Sequence, residues 1–208
     1  MPAEPVVFIV DDERDVRDAV SMLIRSIGLP VQAFASAQEF LGHYRPDQPG
    51  CLVLDVRMPG ISGIDLQEAM AAKGIRLPIV FISGHGDIPM AVRAVRAGAV
   101  DFLEKPFSDQ TLLDRVQKSI ELDRRWRREA RDRDVVRSRM AQLTPRELEV
   151  MECLVAGKVN KIIARELDLS TRTVEIHRAR VLQKMEADNV SQLVRLVLSI
   201  REDTVRQS

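Results

Sequence analysis

Five short apolar runs, each followed by a segment of helical periodicity, constrain this chain more than any other feature. Val6-Val7-Phe8-Ile9-Val10 is uninterrupted, and so are Cys51-Leu52-Val53-Leu54 and Pro78-Ile79-Val80-Phe81-Ile82; Val31 to Phe34 is a weaker member of the set, and Val100 to Leu103 is the fifth. A strand without a polar face has to be covered on both sides, which is the situation of a strand inside a parallel sheet. The intervening segments supply the cover. From Glu13 to Ile27 the apolar positions Val16, Ala19/Val20, Leu23/Ile24 and Ile27 recur at steps of three and four, and Gly28 stops the run. Helices are read in the same way over Ala37 to Tyr44, Ile64 to Ala72, Ile88 to Ala97 and from Leu112 onward. Five alternations predict an α/β doubly wound, five-stranded parallel sheet.

In such a sheet the binding crevice lies beyond the carboxyl ends of the strands. Those ends carry Asp11 and Asp12 after the first strand, Asp55 after the third, Ser83-Gly84 after the fourth and Glu104-Lys105-Pro106 after the fifth. Three carboxylates converging on one rim repel one another, and a hard divalent cation with oxygen ligands, Mg²⁺, is the implied remedy. A lysine and a hydroxyl at the same rim suit the anionic oxygens of a phosphoryl group on Asp55, and Gly84 leaves room for it. Taken singly, each residue also has an ordinary role: Asp12 as a helix N-cap, Phe102 as a core aromatic, Lys105 as a solvated loop cation. His85 is read as a loop residue tuning access to that rim, and His43 has no evident role.

The acidic pair, Asp55, Ser83, Phe102 on the fifth strand and Lys105-Pro106 together give residues 6 to about 121 a resemblance to the receiver domain of two-component response regulators, a flavodoxin-like fold. The resemblance implies that Asp55 accepts a phosphoryl group from a phosphohistidine on a sensor histidine kinase. It implies Mg²⁺ held, directly or through water, by Asp11, Asp12, Asp55 and the backbone carbonyl of Arg57. It pairs Lys105 with the phosphate, has Ser83 beside Gly84 donate to it, lets Phe102 turn inward behind, and makes the Lys105-Pro106 bond cis. On this reading the protein is not an enzyme for external substrates, beyond its own phosphorylation and slow dephosphorylation. A metal-dependent phosphatase would need a second acid near Asp55 to protonate a leaving group, and none is found in the sequence. A third alternative keeps a constitutive DNA-binding regulator with a pseudo-receiver.

Composition then divides the chain. Formal net charge is zero, but residues 1–121 carry 12 Lys/Arg against 17 Asp/Glu, residues 122–142 carry 8 against 4, and residues 143–208 carry 11 against 10. An acidic receiver (1–121), an arginine-rich helical linker (122–142) and a near-neutral third segment (143–208) are expected to face different partners. No Gly or Pro interrupts the helix after Leu112 until Pro145, so it is expected to run past the receiver to about Arg139 as a spacer with a solvated charged face. No apolar run approaches the roughly 20 residues needed to span a bilayer, and the N-terminus lacks a signal pattern, so a soluble, cytoplasmic protein with no membrane partner is expected. Cys51 and Cys153 stand singly, without metal-ligand spacing, and are read as core residues.

In the third segment, Leu143-Thr144-Pro145-Arg146-Glu147 combines a hydroxyl N-cap, proline at the first helical position and glutamate at the third. A helix from there to Gly157, a second over Asn160 to Leu167, a third capped by Ser170 or Thr171 and running to Met185, and a fourth from Ser191 to Ile200 are predicted. The second and third, joined by a tight turn, make a helix-turn-helix unit. The motifs at 143–147, Asn160-Lys161-x-Ile163-Ala164 and Thr173-Val174-Glu175-Ile176-His177-Arg178 resemble the LuxR-type four-helix DNA-binding domain, and the whole chain resembles a FixJ-type transcriptional regulator. Val159 departs from that pattern, standing where a capping Ser or Thr is common. The resemblance puts Thr173 to Arg180 in the major groove, with Glu175, Ile176 and Ala179 facing outward toward bases and Lys161, Arg172, Arg178 and Lys184 holding phosphates. Glu175 and Arg178 equally suit exposed charges without contacts, and His177 suits packing against the domain. The implied partners are a sensor histidine kinase, double-stranded promoter DNA, a second copy of the chain when phosphorylated, and RNA polymerase.

Overall fold

The apolar runs lie side by side in the computed structural model, which describes residues 4–84 and 88–206. Strands β1 (Val6–Val10), β2 (Val31–Phe34), β3 (Gly50–Asp55), β4 (Ile79–Ser83) and β5 (Asp101–Glu104) form one parallel sheet in the order β2-β1-β3-β4-β5. Helices α1 (Arg14–Ser26), α2 (Ala37–His43), α3 (Gly63–Ala72), α4 (Ile88–Arg96) and α5 (Asp109–Met140) alternate with them. Every residue of β1, β3 and β4 is buried, because successive side chains serve opposite cores. Phe8 and Val10 pack with Phe40, Leu66 and Met70 on one face, while Val7 and Ile9 pack with Val20, Ile24 and Val116 on the other. Each such side chain contributes about 1.5 to 3 kcal/mol by leaving water, which is why the sequence reads as unbroken apolar runs.

The strand order reverses at β1, and Val10 pairs with Leu54, so the next residues, Asp11 and Asp55, emerge next to each other at the carboxyl edge. A glycine keeps that edge compact. A Cβ on Gly63, at the start of α3, would lie 2.2 Å from the Asp55 carbonyl oxygen, so α3 can begin against this strand end only because the side chain is absent.

Two compact units divide the chain after Arg127. The expected spacer is shorter at both ends than its composition suggests. Asp123, 1% exposed, accepts from the Gly50 backbone N–H at 2.9 Å and is gripped by Arg127 Nε at 2.8 and 2.9 Å. Arg127 in turn donates to the carbonyls of Pro46, Asp47 and Gln48, and Arg76 lies over the Trp126 ring. Residues 122–127 therefore belong to the first unit. At the other end, Val136 is buried in the core of the second unit, with Met140 and Leu143 packed against it.

That second core gathers α6 (Pro145–Val155), α7 (Asn160–Glu166), α8 (Thr171–Lys184) and α9 (Val190–Arg206) around Val150, Met151, Ile163, Val174, Val181 and Leu193. The helix starts are those the sequence encodes. Thr144 and Glu147 form a reciprocal capping box, and Ser170 caps α8 by accepting from Thr173 N–H. Val159, at the N-cap of α7, makes no side-chain cap bond. Among the described residues no helix is long and apolar enough to cross a membrane.

Candidate functional site

At the carboxyl edge of the sheet the Lys105 ammonium reaches between two carboxylates, 2.9 Å from Asp11 Oδ2 and 3.0 Å from Asp55 Oδ1. It is delivered from β5, beyond the Ser83–Glu104 pairing, with its own N–H donating to the Ser83 carbonyl and its bond to Pro106 cis. Asp11 is fully buried, and its second oxygen accepts from Glu13 N–H at 2.8 Å. Asp55 is 5% exposed and accepts from Arg57 N–H at 2.7 Å. Burial pushes the Asp55 carboxyl above its ordinary range; its bonds with Lys105 work the other way and do not overcome it, while the Asp11 charge adds to the rise. For Lys105, burial acts downward, but hydrogen bonds to Asp11 and Asp55 outweigh it and hold the ammonium above its usual value. The result is a protonated lysine beside a carboxylate that burial keeps basic despite its hydrogen bonds.

The expected cluster of three carboxylates is not what the structure gathers. Asp11 and Asp55 come together with Lys105 between them, so their repulsion is offset by an ammonium. Asp12 is exposed, with no partner for its carboxylate among the described residues. It is not the N-cap of α1 either, a place taken by Glu13. No group of three acidic, histidine or cysteine side chains is poised around a metal position among the described residues. Chemically the set still fits a hard cation: every donor at this rim is a carboxylate or carbonyl oxygen, and the Asp12 carboxylate is uncommitted. A groove of about 700 Å³, lined by Asp12, Arg57, Met58, Ser62, Pro89 and Arg93 among others, opens beside it.

Ser83 is buried at the end of β4, and a Cβ on Gly84 would meet nothing within 4 Å, which leaves the rim open there. Phe102 is half-buried on the face of the sheet that holds Phe81, its ring centroid 6.3 Å away. It is neither sealed in the core nor free of it. His85 lies outside the described residues. His43 bonds the Glu39 carbonyl on its own helix and sits near Phe34, a structural placement. Sequence reasoning missed Arg17, whose guanidinium donates to the backbone carbonyls of both Asp11 and Asp12.

In the second unit, Glu175, Ile176 and Ala179 are exposed together on α8, and Lys161 on α7 and Arg172 on α8 are exposed without a partner among the described residues. Thr173 is partly occupied by the cap, its hydroxyl 2.8 Å from that of Ser170, and Arg178 donates to Asn160 Oδ1 at 3.3 Å. The Lys184 ammonium bonds Glu147 at 2.6 Å and the Gln142 carbonyl at 3.1 Å, and so braces α6 against α8. Arg165 and Arg180, exposed and unpaired among the described residues, are the cations that reading passed over. His177 is half-buried, in keeping with packing against the domain.

Residues 7–117 match the response regulator receiver domain, and residues 141–197 match the bacterial regulatory proteins of the luxR family. The chain is 48% identical to nodulation protein W of Bradyrhizobium diazoefficiens over 191 residues, covering 92% of this chain and 84% of the relative. It is 45% identical to transcriptional regulatory protein FixJ of the same organism over 193 residues, covering 92% and 94%. The solved structure of response regulator StyR is similar along 94% of this chain and 98% of that one, at 46% identity and a TM-score of 0.81.

Proposed function

Because the chain belongs to the two-component response regulators with a LuxR-type DNA-binding domain, and is thus a DNA-binding transcriptional regulator, we propose that phosphorylation of Asp55 sets its affinity for promoter DNA. A carboxylate oxygen of Asp55 attacks the phosphorus of a phosphohistidine on a sensor kinase. The new O–P bond forms as the P–N bond breaks, and the bonding pair returns to the imidazole nitrogen, which takes up a proton. Burial raises the basicity of Asp55 and with it the nucleophilicity of its oxygen. Lys105, already between Asp11 and Asp55, neutralises the oxygens the phosphoryl group brings, and Ser83 donates a hydrogen bond to them. Asp11, Asp12, Asp55 and the Arg57 carbonyl would hold Mg²⁺, which when bound supplies charge neutralisation for the phosphoryl oxygens.

The observation that supports this reading most is the Lys105 bridge at 2.9 and 3.0 Å, since an ammonium shared by two buried acids at a sheet edge is a ready anion partner. The half-buried Phe102 is the side chain that follows Ser83 inward. The phosphorylated population then dimerises, places two copies of α8 in successive major grooves, and contacts RNA polymerase in the cytoplasm. Lys161, Arg165, Arg172 and Arg180 hold phosphates, and Glu175, Ile176 and Ala179 meet base edges. With its receiver at 1–127, this chain acts as a regulator and hydrolyses no phosphate but its own. The test compares wild type and Asp55→Asn, each treated with acetyl phosphate and Mg²⁺, on duplexes enriched from a random pool by the wild type. Wild type dimerises and gains affinity and D55N does neither; equal behaviour of the two contradicts the reading.

A further inference from the structure

We infer that Arg17 is a positioning residue for the acid pair: it fixes the backbone on which Asp12 stands, so that only the Asp12 side chain has to reorient when a divalent cation is held. This rests on the reading of Asp11, Asp12 and Asp55 as Mg²⁺ ligands. One guanidinium nitrogen, Nη1 of Arg17, donates to the Asp11 carbonyl at 2.7 Å and to the Asp12 carbonyl at 2.9 Å. No carboxylate partners Arg17 among the described residues, so these two carbonyls are what its charge is committed to. The clamp completes a fully determined Asp11. The Asp11 N–H donates to the Phe34 carbonyl, its carboxylate oxygens take Glu13 N–H and Lys105, and its carbonyl takes Arg17.

Asp12 is the opposite case, with its carbonyl held and its exposed carboxylate uncommitted. Ordering a free backbone on ligand binding adds its own conformational entropy cost to that of ordering the side chain, so a clamp that has already fixed the backbone favours the ion. Partners that orient ligands from behind typically matter about 10- to 100-fold in metal affinity. A competing effect has the reverse sign. A guanidinium near a divalent site repels the ion, so removing Arg17 would tighten binding if its charge were all that counted.

The two are separated by direct Mg²⁺ titration calorimetry on the full-length chain, with Arg17→Gln and Arg17→Lys alongside wild type and thermal unfolding followed in parallel. Positioning predicts that R17Q binds Mg²⁺ about tenfold or more weakly, that R17K falls between, and that unfolding midpoints stay together. It also predicts that R17Q, at saturating Mg²⁺, takes phosphate from acetyl phosphate as fast as wild type, so that half-saturation moves and the maximal rate does not. R17Q binding Mg²⁺ as tightly as wild type, or more tightly, overturns the inference and leaves the Mg²⁺ reading standing. Wild type that binds no Mg²⁺ at millimolar concentration sinks that reading and the inference with it. Should R17Q fail to fold, R17K decides: weaker binding supports the clamp, equal or tighter binding overturns it.

Discussion

Lys105 and Lys184 each stand against buried carboxylates, yet Asp55 beside the first is pushed above the ordinary carboxylate range while Glu147 beside the second is held down to about 2. The difference lies in what dominates each charge: desolvation outweighs the hydrogen bonds at Asp55, and hydrogen bonds outweigh desolvation at Glu147. At the receiver rim one ammonium is shared by two carboxylates, burial dominates, and Asp11 adds its own repulsion. In the DNA-binding unit the Lys184 hydrogen bond comes first, then the backbone N–H of Thr144 and its hydroxyl, all serving a single carboxylate. The same pair of side-chain types is therefore reactive in one place and structural in the other. An acid ruled by desolvation stays basic, and an acid ruled by its hydrogen bonds becomes a brace.

Removing each lysine's partner, or the lysine itself, tests that contrast, and the largest effect is expected at the rim. Lys105→Met leaves Asp11 and Asp55 facing each other in a buried place, which costs roughly 3 kcal/mol at neutral pH. Urea unfolding read from Trp126, the only tryptophan and a residue of the first unit, measures it. The loss should shrink in acid, where protonated Asp55 needs no counter-ion; an undiminished loss would mean the ammonium matters for packing alone.

Glu147→Gln comes next. It keeps an acceptor for the cap but gives up the charge facing Lys184, for about 2 kcal/mol at pH 7. Its pKa is depressed when folded, so its contribution is present above 4.5 and is lost as pH falls toward about 2. Amide exchange in α6 should follow that window in wild type and be flat in E147Q. Asp55 carries the opposite sign. Its folded carboxyl takes a proton more readily than the unfolded one, so its ionisation works against the fold, and the receiver gains from Asp55 as pH drops through the carboxylate range. Opposite acid slopes in the two units, the first of them flattened by Asp55→Asn, sharpen the comparison, and parallel slopes break it.

The smallest effect concerns a cap. Val159 leaves the start of α7 without a side-chain acceptor, and Val159→Ser should stabilise the second unit by about 1 kcal/mol in the same exchange measurement.

What was legible in the sequence was what is local or periodic. Runs such as Val6 to Val10 and Leu52 to Leu54 declare two-sided burial, the residues that follow them declare the rim, and Thr144-Pro145-Arg146-Glu147 declares a helix start within four residues. What stayed hidden depends on partners far along the chain. Asp123 and Arg127 look like one more surface pair at i,i+4 in an arginine-rich helix, until the loop at Pro46 to Gly50 closes over them. Lys184 looks like a free surface cation until Glu147, 37 residues earlier, engages it. Asp12 was expected inside the acid cluster because it follows Asp11, but adjacent residues leave a strand end in different directions, and only one of them turns inward.

The most direct measurement is the location of a phosphoryl group after the full-length chain is treated with acetyl phosphate and Mg²⁺. Peptide mapping by mass spectrometry, with borohydride reduction to trap the acyl phosphate, should find it on Asp55 alone and find none in Asp55→Asn. Equal modification of the variant, or an acyl phosphate on Asp11 or Asp12 in the wild type, would contradict the assignment of Asp55 as the nucleophile that Lys105 serves.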